Sequence, residues 1–139
     1  WNNPQRTDEM LFPGDIPGER VLRTGDWFRM DEDGCLYFLS RTDAIIKTRG
    51  EKVSPAEVEA ALCSIPGVGE AVVVGVPDDV LGQAIRAFVV PAPGAALNDR
   101  QLRHELTRRL ENFMVPRDIL LRDTLPKSPN GKIDRKALA

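Results

Sequence analysis

"TDAIIKTRGEKVSPAEVEAAL", from Thr42 to Leu62, places a hairpin and a capped helix back to back. Ala44 to Thr48 forms one apolar arm, Arg49-Gly50-Glu51 the turn, and Lys52-Val53 the returning arm. Ser54 is a good N-cap, and Pro55 suits the first helical position because the N–H it lacks would be unpaired there anyway. Glu57 completes a capping box, and Val58, Ala61, Leu62 and Ile65 share one face before Pro66-Gly67 stops the helix.

Toward the C-terminus, the β-branched runs Ala71 to Val76 and Ile85 to Val90 are separated by polar residues around Asp78-Asp79 and Gly82, and predict an antiparallel pair. Asn98 with Gln101 opens a second helix whose Leu102, Leu106, Leu110 and Phe113 form a stripe opposite Arg100, Arg103, Arg108 and Arg109, with Pro116 as its end. Ile119 to Leu121 predicts a last short strand. After it come the loop "PKSPNGKIDRKAL", with Lys132 behind a Pro-Asn-Gly turn, and a final helical turn begun by Asp134. The expected fold class is α+β, a small sheet flanked by two or three helices.

Toward the N-terminus the pattern differs. "WNNPQRTDEMLFPGDIPGER" has no initiator Met and no apolar periodicity, and reads as the middle of a longer polypeptide. A strand ending near Arg23, a turn at Thr24-Gly25-Asp26, and two strands joined by the acidic turn Asp31 to Gly34 follow. Residues 1–42 are therefore expected to be a helix-free, strand-rich end of a larger domain with a hinge, and residues 43–139 a separate domain.

Composition, 42% hydrophobic and 29% charged, suits a globular protein, and no apolar run approaches the ~18 residues of a membrane span. No membrane or secretory assignment follows, and the expected compartment is the cytoplasm. Cys35 and Cys63 lie far apart without metal-type spacing and His104 is the single histidine, so no metal site is expected; both cysteines read as small core residues. The net charge of −2 hides an asymmetry, with residues 1–98 at −6 and residues 99–139 at +4. The basic third could face phosphates or form a solvated, arginine-rich helix face. No aromatics interleave with its arginines, which argues against nucleic acid and leaves little for a non-catalytic binding module, the alternative of another class.

Taken singly, "RTGDWF", "SRTDAIIKTRGEKVSPAEVE", "ENFMVPRDILL" and "LPKSPNGKIDRKAL" are weak motifs. In this order they resemble the C-terminal region of AMP-forming acyl-CoA synthetases and adenylation domains, the adenylate-forming enzymes, over essentially the whole chain. The resemblance implies that Asp26 accepts hydrogen bonds from both ribose hydroxyls of ATP, a role open to a carboxylate with two oxygens. By the same resemblance Arg41 makes a second ribose or phosphate contact. Asp43 is implied as the hinge of a mobile C-terminal lid, and Lys47, Arg49 and Gly50 as the loop lining the tunnel for a pantetheine arm. Gly50 is also intelligible as a hairpin glycine needing positive φ. Lys132 is implied as the adenylation lysine, touching the carboxylate substrate and the α-phosphate region. One departure is Ser40, where the family usually has glycine.

The resemblance further implies a parent enzyme that takes a carboxylic acid, ATP with Mg2+, and coenzyme A, its large N-terminal domain being the lid's partner. A carrier protein bearing phosphopantetheine is the alternative acceptor, loaded by an adenylation domain or a fatty-acid AMP ligase. "GEKVSPAEVE" leans toward coenzyme A. Without a phosphate loop or an acid pocket, the fragment is expected to be inert, with residues 1–42 poorly ordered or rearranged without their partner.

Overall fold

In the computed structural model, which describes residues 2–42 and 44–138, the two β-branched runs become the longest strands, β7 (Val68–Asp78) and β8 (Gly82–Pro91), paired antiparallel. Their side chains alternate between two cores, as a pleated strand buried on both faces requires. Val73, Ile85, Ala87 and Val89 point into one core, whereas Val72, Val74, Val76, Ala84 and Phe88 point into the other.

The first core is closed by helices α2 (Pro55–Cys63) and α3 (Asp99–Thr107), whose Val58, Leu62, Leu102 and Leu106 are fully buried. Burying each such side chain contributes about 1.5–3 kcal/mol. The second core is closed by the C-terminal segment, through Leu125, Ile133 and Leu138. Strand β9 (Asp118–Leu121) runs parallel to β8, with Arg86 opposite Asp118 and joined to it by an ion pair of 3.1 Å. The hairpin β5 (Ile46–Thr48) and β6 (Glu51–Val53) completes a sheet of order β6-β5-β8-β7, with β9 also pairing β8.

The chain divides into two compact units, Trp1–Asp43 and Ala44–Ala139. The smaller contains helix α1 (Pro4–Met10), the pair β1 (Leu11–Pro13) and β2 (Arg20–Leu22), and the pair β3 (Asp26–Met30) and β4 (Leu36–Arg41), both antiparallel. No helix among the described residues is long and apolar enough to cross a membrane.

Several expectations are corrected. Residues 1–42 do contain a helix: Asn3 caps α1 through its side chain, which accepts from the Arg6 amide at 3.0 Å, and Pro4 occupies a first-turn position. The second helix ends near Arg108 rather than at Pro116. Glu111 is extended, and a 3-10 turn, Asn112–Met114, carries Phe113 back to the first core, where Leu110 also packs. The α2 capping box does not form as read, since the Ser54 side chain makes no cap hydrogen bond; its carbonyl accepts from Glu57 and Val58 instead. Both cysteines are exposed. Cys63 follows Leu62 on the helix and so is rotated ~100° from it, away from the core, and Cys35 ends the acidic turn, its amide donating to Asp31 Oδ1 at 2.8 Å.

Candidate functional site

Three places carry the candidate residues, one in the smaller unit and two in the larger. In the smaller unit, strand register sets Asp26 directly opposite Arg41. Arg41 Nη1 donates to Asp26 Oδ1 at 3.0 Å, and the Asp26 amide donates to Thr24 Oγ1 at 3.2 Å, fixing the turn that presents the carboxylate. Gly25 has φ +81, and a Cβ there would sit 3.4 Å from the Arg41 guanidinium, so glycine serves both the turn and the pair. The two residues implied to meet the nucleotide's ribose thus lie together, partly exposed, as an anion beside a cation. Ser40 is buried within β4 opposite Trp27, beside a register shift between Trp27 and Phe28, its hydroxyl donating to the Arg41 carbonyl at 3.3 Å; its backbone is not left-handed and so does not call for glycine. Asp43 lies outside the described residues.

The second place is the β5–β6 hairpin. Arg49 and Gly50 form its two-residue turn, both left-handed at φ 54 and 83. That geometry gives the strand twist a two-residue connection needs, and of the pair only Gly50 is free of Cβ strain. Nothing stands within 4 Å of where a Gly50 Cβ would be, so backbone conformation rather than crowding explains the glycine here. The hairpin is tied to the sheet by the Lys47 amide donating to Gln83 Oε1 at 2.8 Å, the Arg49 amide donating to the Leu81 carbonyl at 3.1 Å, and the pairing of Thr48 with Gly82. Asp78 in turn holds the Leu81 and Val80 amides. These bonds, with the Arg117 guanidinium beyond them, hold its carboxyl below the usual carboxylate value. The exposed Lys47 and Arg49 side chains stand on either side of a buried Thr48, and Arg49 lines a cleft of about 350 Å³ with Leu81, Arg103, Phe113 and Arg117.

The third place is the lysine loop. Ser128 to Gly131 close a tight turn, Lys127 bridges Ile133, and the Lys132 carbonyl accepts from the Ser128 amide at 2.7 Å. Lys132 is exposed, and among the described residues it has no ion-pair partner. Arg103, Arg108, Arg109, Arg117, Lys127 and Arg135 face carboxylates, whereas Arg100, Arg122 and Lys136, like Lys132, have no ion pair among the described residues, so the basic C-terminal third is neutralised only in part. Arg109 in particular holds the Glu105 carboxyl below its usual range.

One residue that sequence reasoning passed over is Arg135. It donates to both oxygens of Glu59 at 2.6 and 3.0 Å and to the Val73 carbonyl at 2.8 Å. Its only sequence signal is a charged residue beside an apolar tail. Among the described residues no group of three or more histidines, cysteines or carboxylates could hold a metal ion.

A two-layered α+β unit with an exposed loop lysine, preceded in sequence by a strand pair that presents an Asp–Arg couple, has the form of the C-terminal part of an adenylate-forming ligase. The chain belongs to the AMP-binding enzyme C-terminal domain family, whose profile matches residues 57–132, ending on Lys132 itself. It is 41% identical to the fatty acid–[acyl-carrier-protein] ligase ScoC of Streptomyces coeruleorubidus over 99% of this chain and 25% of that protein. It is 39% identical to the acetyl-coenzyme A synthetase of Bacillus subtilis over 99% of this chain and 24% of that protein. Its fold matches ATP-bound MatB from Rhodopseudomonas palustris with a TM-score of 0.86 and 32% identity, covering 99% of this chain and 26% of MatB. The chain spans about a quarter or less of the length of the relatives it matches.

Proposed function

We propose that residues 43–139 are the lid, and residues 1–42 the end of the large domain with the hinge, of a ligase that activates a carboxylic acid with ATP as an acyl-adenylate and then transfers the acyl group to the thiol of coenzyme A. The observation that carries the reading is Lys132, exposed on a stapled loop with no ion-pair partner among the described residues, while Lys127 and Arg135 of the same loop are paired. Attack of a carboxylate on the α-phosphorus brings two anions together and spreads charge over phosphoryl oxygens and departing pyrophosphate. A compact ammonium placed there stabilises the transition state, an effect of about 10²–10³ in rate for one well-placed donor.

The same reading gives the other residues distinct tasks. Asp26 accepts from the ribose hydroxyls, with Arg41 holding the carboxylate and offering donors to oxygen. Asp43 is the hinge on which the lid turns, withdrawing Lys132 and bringing the Lys47–Gly50 hairpin round the pantetheine arm. Gly50 leaves open space at the turn, which suits a thin chain passing backbone. Mg2+ belongs with the nucleotide's phosphates; among the described residues no cluster of histidines, cysteines or carboxylates could hold it. The setting is the cytoplasm, and this chain without the large N-terminal domain is inert.

A second reading has a specific observation behind it: the similarity to a ligase named for an acyl-carrier protein is as high as that to an acetyl-coenzyme A synthetase. On that reading the acceptor thiol is carrier-borne phosphopantetheine. The test is to incubate the full-length enzyme with ATP, a panel of acids, and either coenzyme A or a phosphopantetheinylated carrier. AMP and pyrophosphate formed together with acyl-CoA support the first reading, and acyl-carrier alone supports the second. Thiol-dependent release of ADP and phosphate, or no nucleotide turnover with any acid, refutes both.

A further inference from the structure

We propose that Arg135 is the positioning residue for Lys132, fixing the lysine loop to the sheet so that the ammonium returns to one place at each closure. The inference rests on Lys132 acting in adenylation. Two residues, Ile133 and Asp134, separate Lys132 from Arg135, and each is itself held. Ile133 packs into the second core, and Asp134 accepts from the Lys136 and Ala137 amides at 3.1 and 3.3 Å, closing the turn that carries Arg135. The guanidinium then forks onto Glu59 of α2 and reaches the Val73 carbonyl of β7.

Glu59 is prepared for this. Its side chain is only 16% exposed, and Oε1 also accepts from the Val73 amide at 2.8 Å, so the carboxylate is held before the arginine arrives. The loop's other arm has a weaker fastening. Lys127 meets Glu70 at 3.3 Å with both side chains about half exposed, a kind of pair that contributes little. A two-pronged, charge-assisted fork on a shielded carboxylate is the stronger staple and the directional one. A misplacement of about 1 Å at a reacting centre can cost about 10²-fold in rate, so losing this staple should be read in the chemical step.

The experiment uses the full-length enzyme with Arg135→Ala, Arg135→Lys, Glu59→Gln, Lys132→Ala and the Lys132→Ala/Arg135→Ala pair. It measures single-turnover adenylate formation, thiol transfer to preformed adenylate, and KM for ATP. Arg135→Ala should slow adenylation about 10²-fold, leaving KM and thiol transfer within about twofold. Arg135→Lys and Glu59→Gln, which preserve volume and part of the bonding, should each lose about tenfold; they carry the test if the alanine variant does not fold. The double variant should adenylate no more slowly than Lys132→Ala alone, because the staple acts through the lysine. Equal slowing of both half-reactions, or additive losses in the double variant, would make Arg135 a general support and overturn the inference. Wild-type adenylation by Arg135→Ala with a crippled Lys132→Ala overturns it too, while wild-type adenylation by Lys132→Ala removes the reading beneath it.

Discussion

Replacing Gly75 with alanine sets two small effects of opposite sign against each other at the seat of the β5–β6 hairpin. Gly75 lies in β7 with no left-handed backbone to protect. On chain entropy alone, alanine should therefore stabilise by about 0.4–1 kcal/mol. Against this, the new Cβ would lie 2.9 Å from Gln83 Nε2 and 3.1 Å from Ile46 Cγ2. The glutamine can swing aside, but its Oε1 then leaves the Lys47 amide, at a net cost of about 0.5–1.5 kcal/mol. Ile46 is 2% exposed and cannot move freely; overpacking at such a site costs about 1–3 kcal/mol. The balance is a destabilisation of about 1–3 kcal/mol, or about 4–8 °C in melting temperature per kcal/mol for a unit of this size. Trp1 and Trp27 both belong to the smaller unit, so the loss should be followed by far-UV circular dichroism and by exchange of the Lys47 amide rather than by tryptophan emission. In the full-length enzyme the same change should slow thiol transfer more than adenylation. A variant as stable as the wild type, with the Lys47 amide equally protected, would refute the idea that Gln83 seats this hairpin.

Asp26→Asn keeps the turn but leaves one acceptor where a ribose offers two donors, and should raise KM for ATP about tenfold or more; an unchanged KM would free Asp26 of the nucleotide role. The Asp78 carboxyl is held below its ordinary 3.8 by the Leu81 and Val80 amides and by Arg117. A depressed folded value means that its contribution is present above the unfolded pKa and is lost as pH falls through the lower folded one. The Leu81 amide shift should therefore titrate with a midpoint below 3.8, and a midpoint at or above it would contradict the turn's geometry. Asp31, held down first by the Cys35 amide, should behave alike in the smaller unit.

What could be read in the sequence was local. The β5–β6 turn, α2 and the Asn98 cap are written in neighbouring residues, and the Gln101 amide does donate to Asn98 Oδ1 at 2.8 Å. Helix α1 was also written there, in Asn3 and Pro4, but it buries nothing and so has no apolar period to announce it. The tail that covers the second face was not legible. Leu125, Ile133 and Leu138 follow neither period, and the partners of Arg135 lie 76 and 62 residues away along the chain. The Asp26–Arg41 couple falls between these cases, since each residue stood out in its motif but the register that joins them is a property of the strand pair.

The central claim is that one lysine serves one half-reaction. In the full-length enzyme, Lys132→Ala should lower acyl-adenylate formation about 10²–10³-fold while transfer of preformed adenylate to the thiol proceeds at the wild-type rate. Loss of both steps together, or of neither, would contradict it.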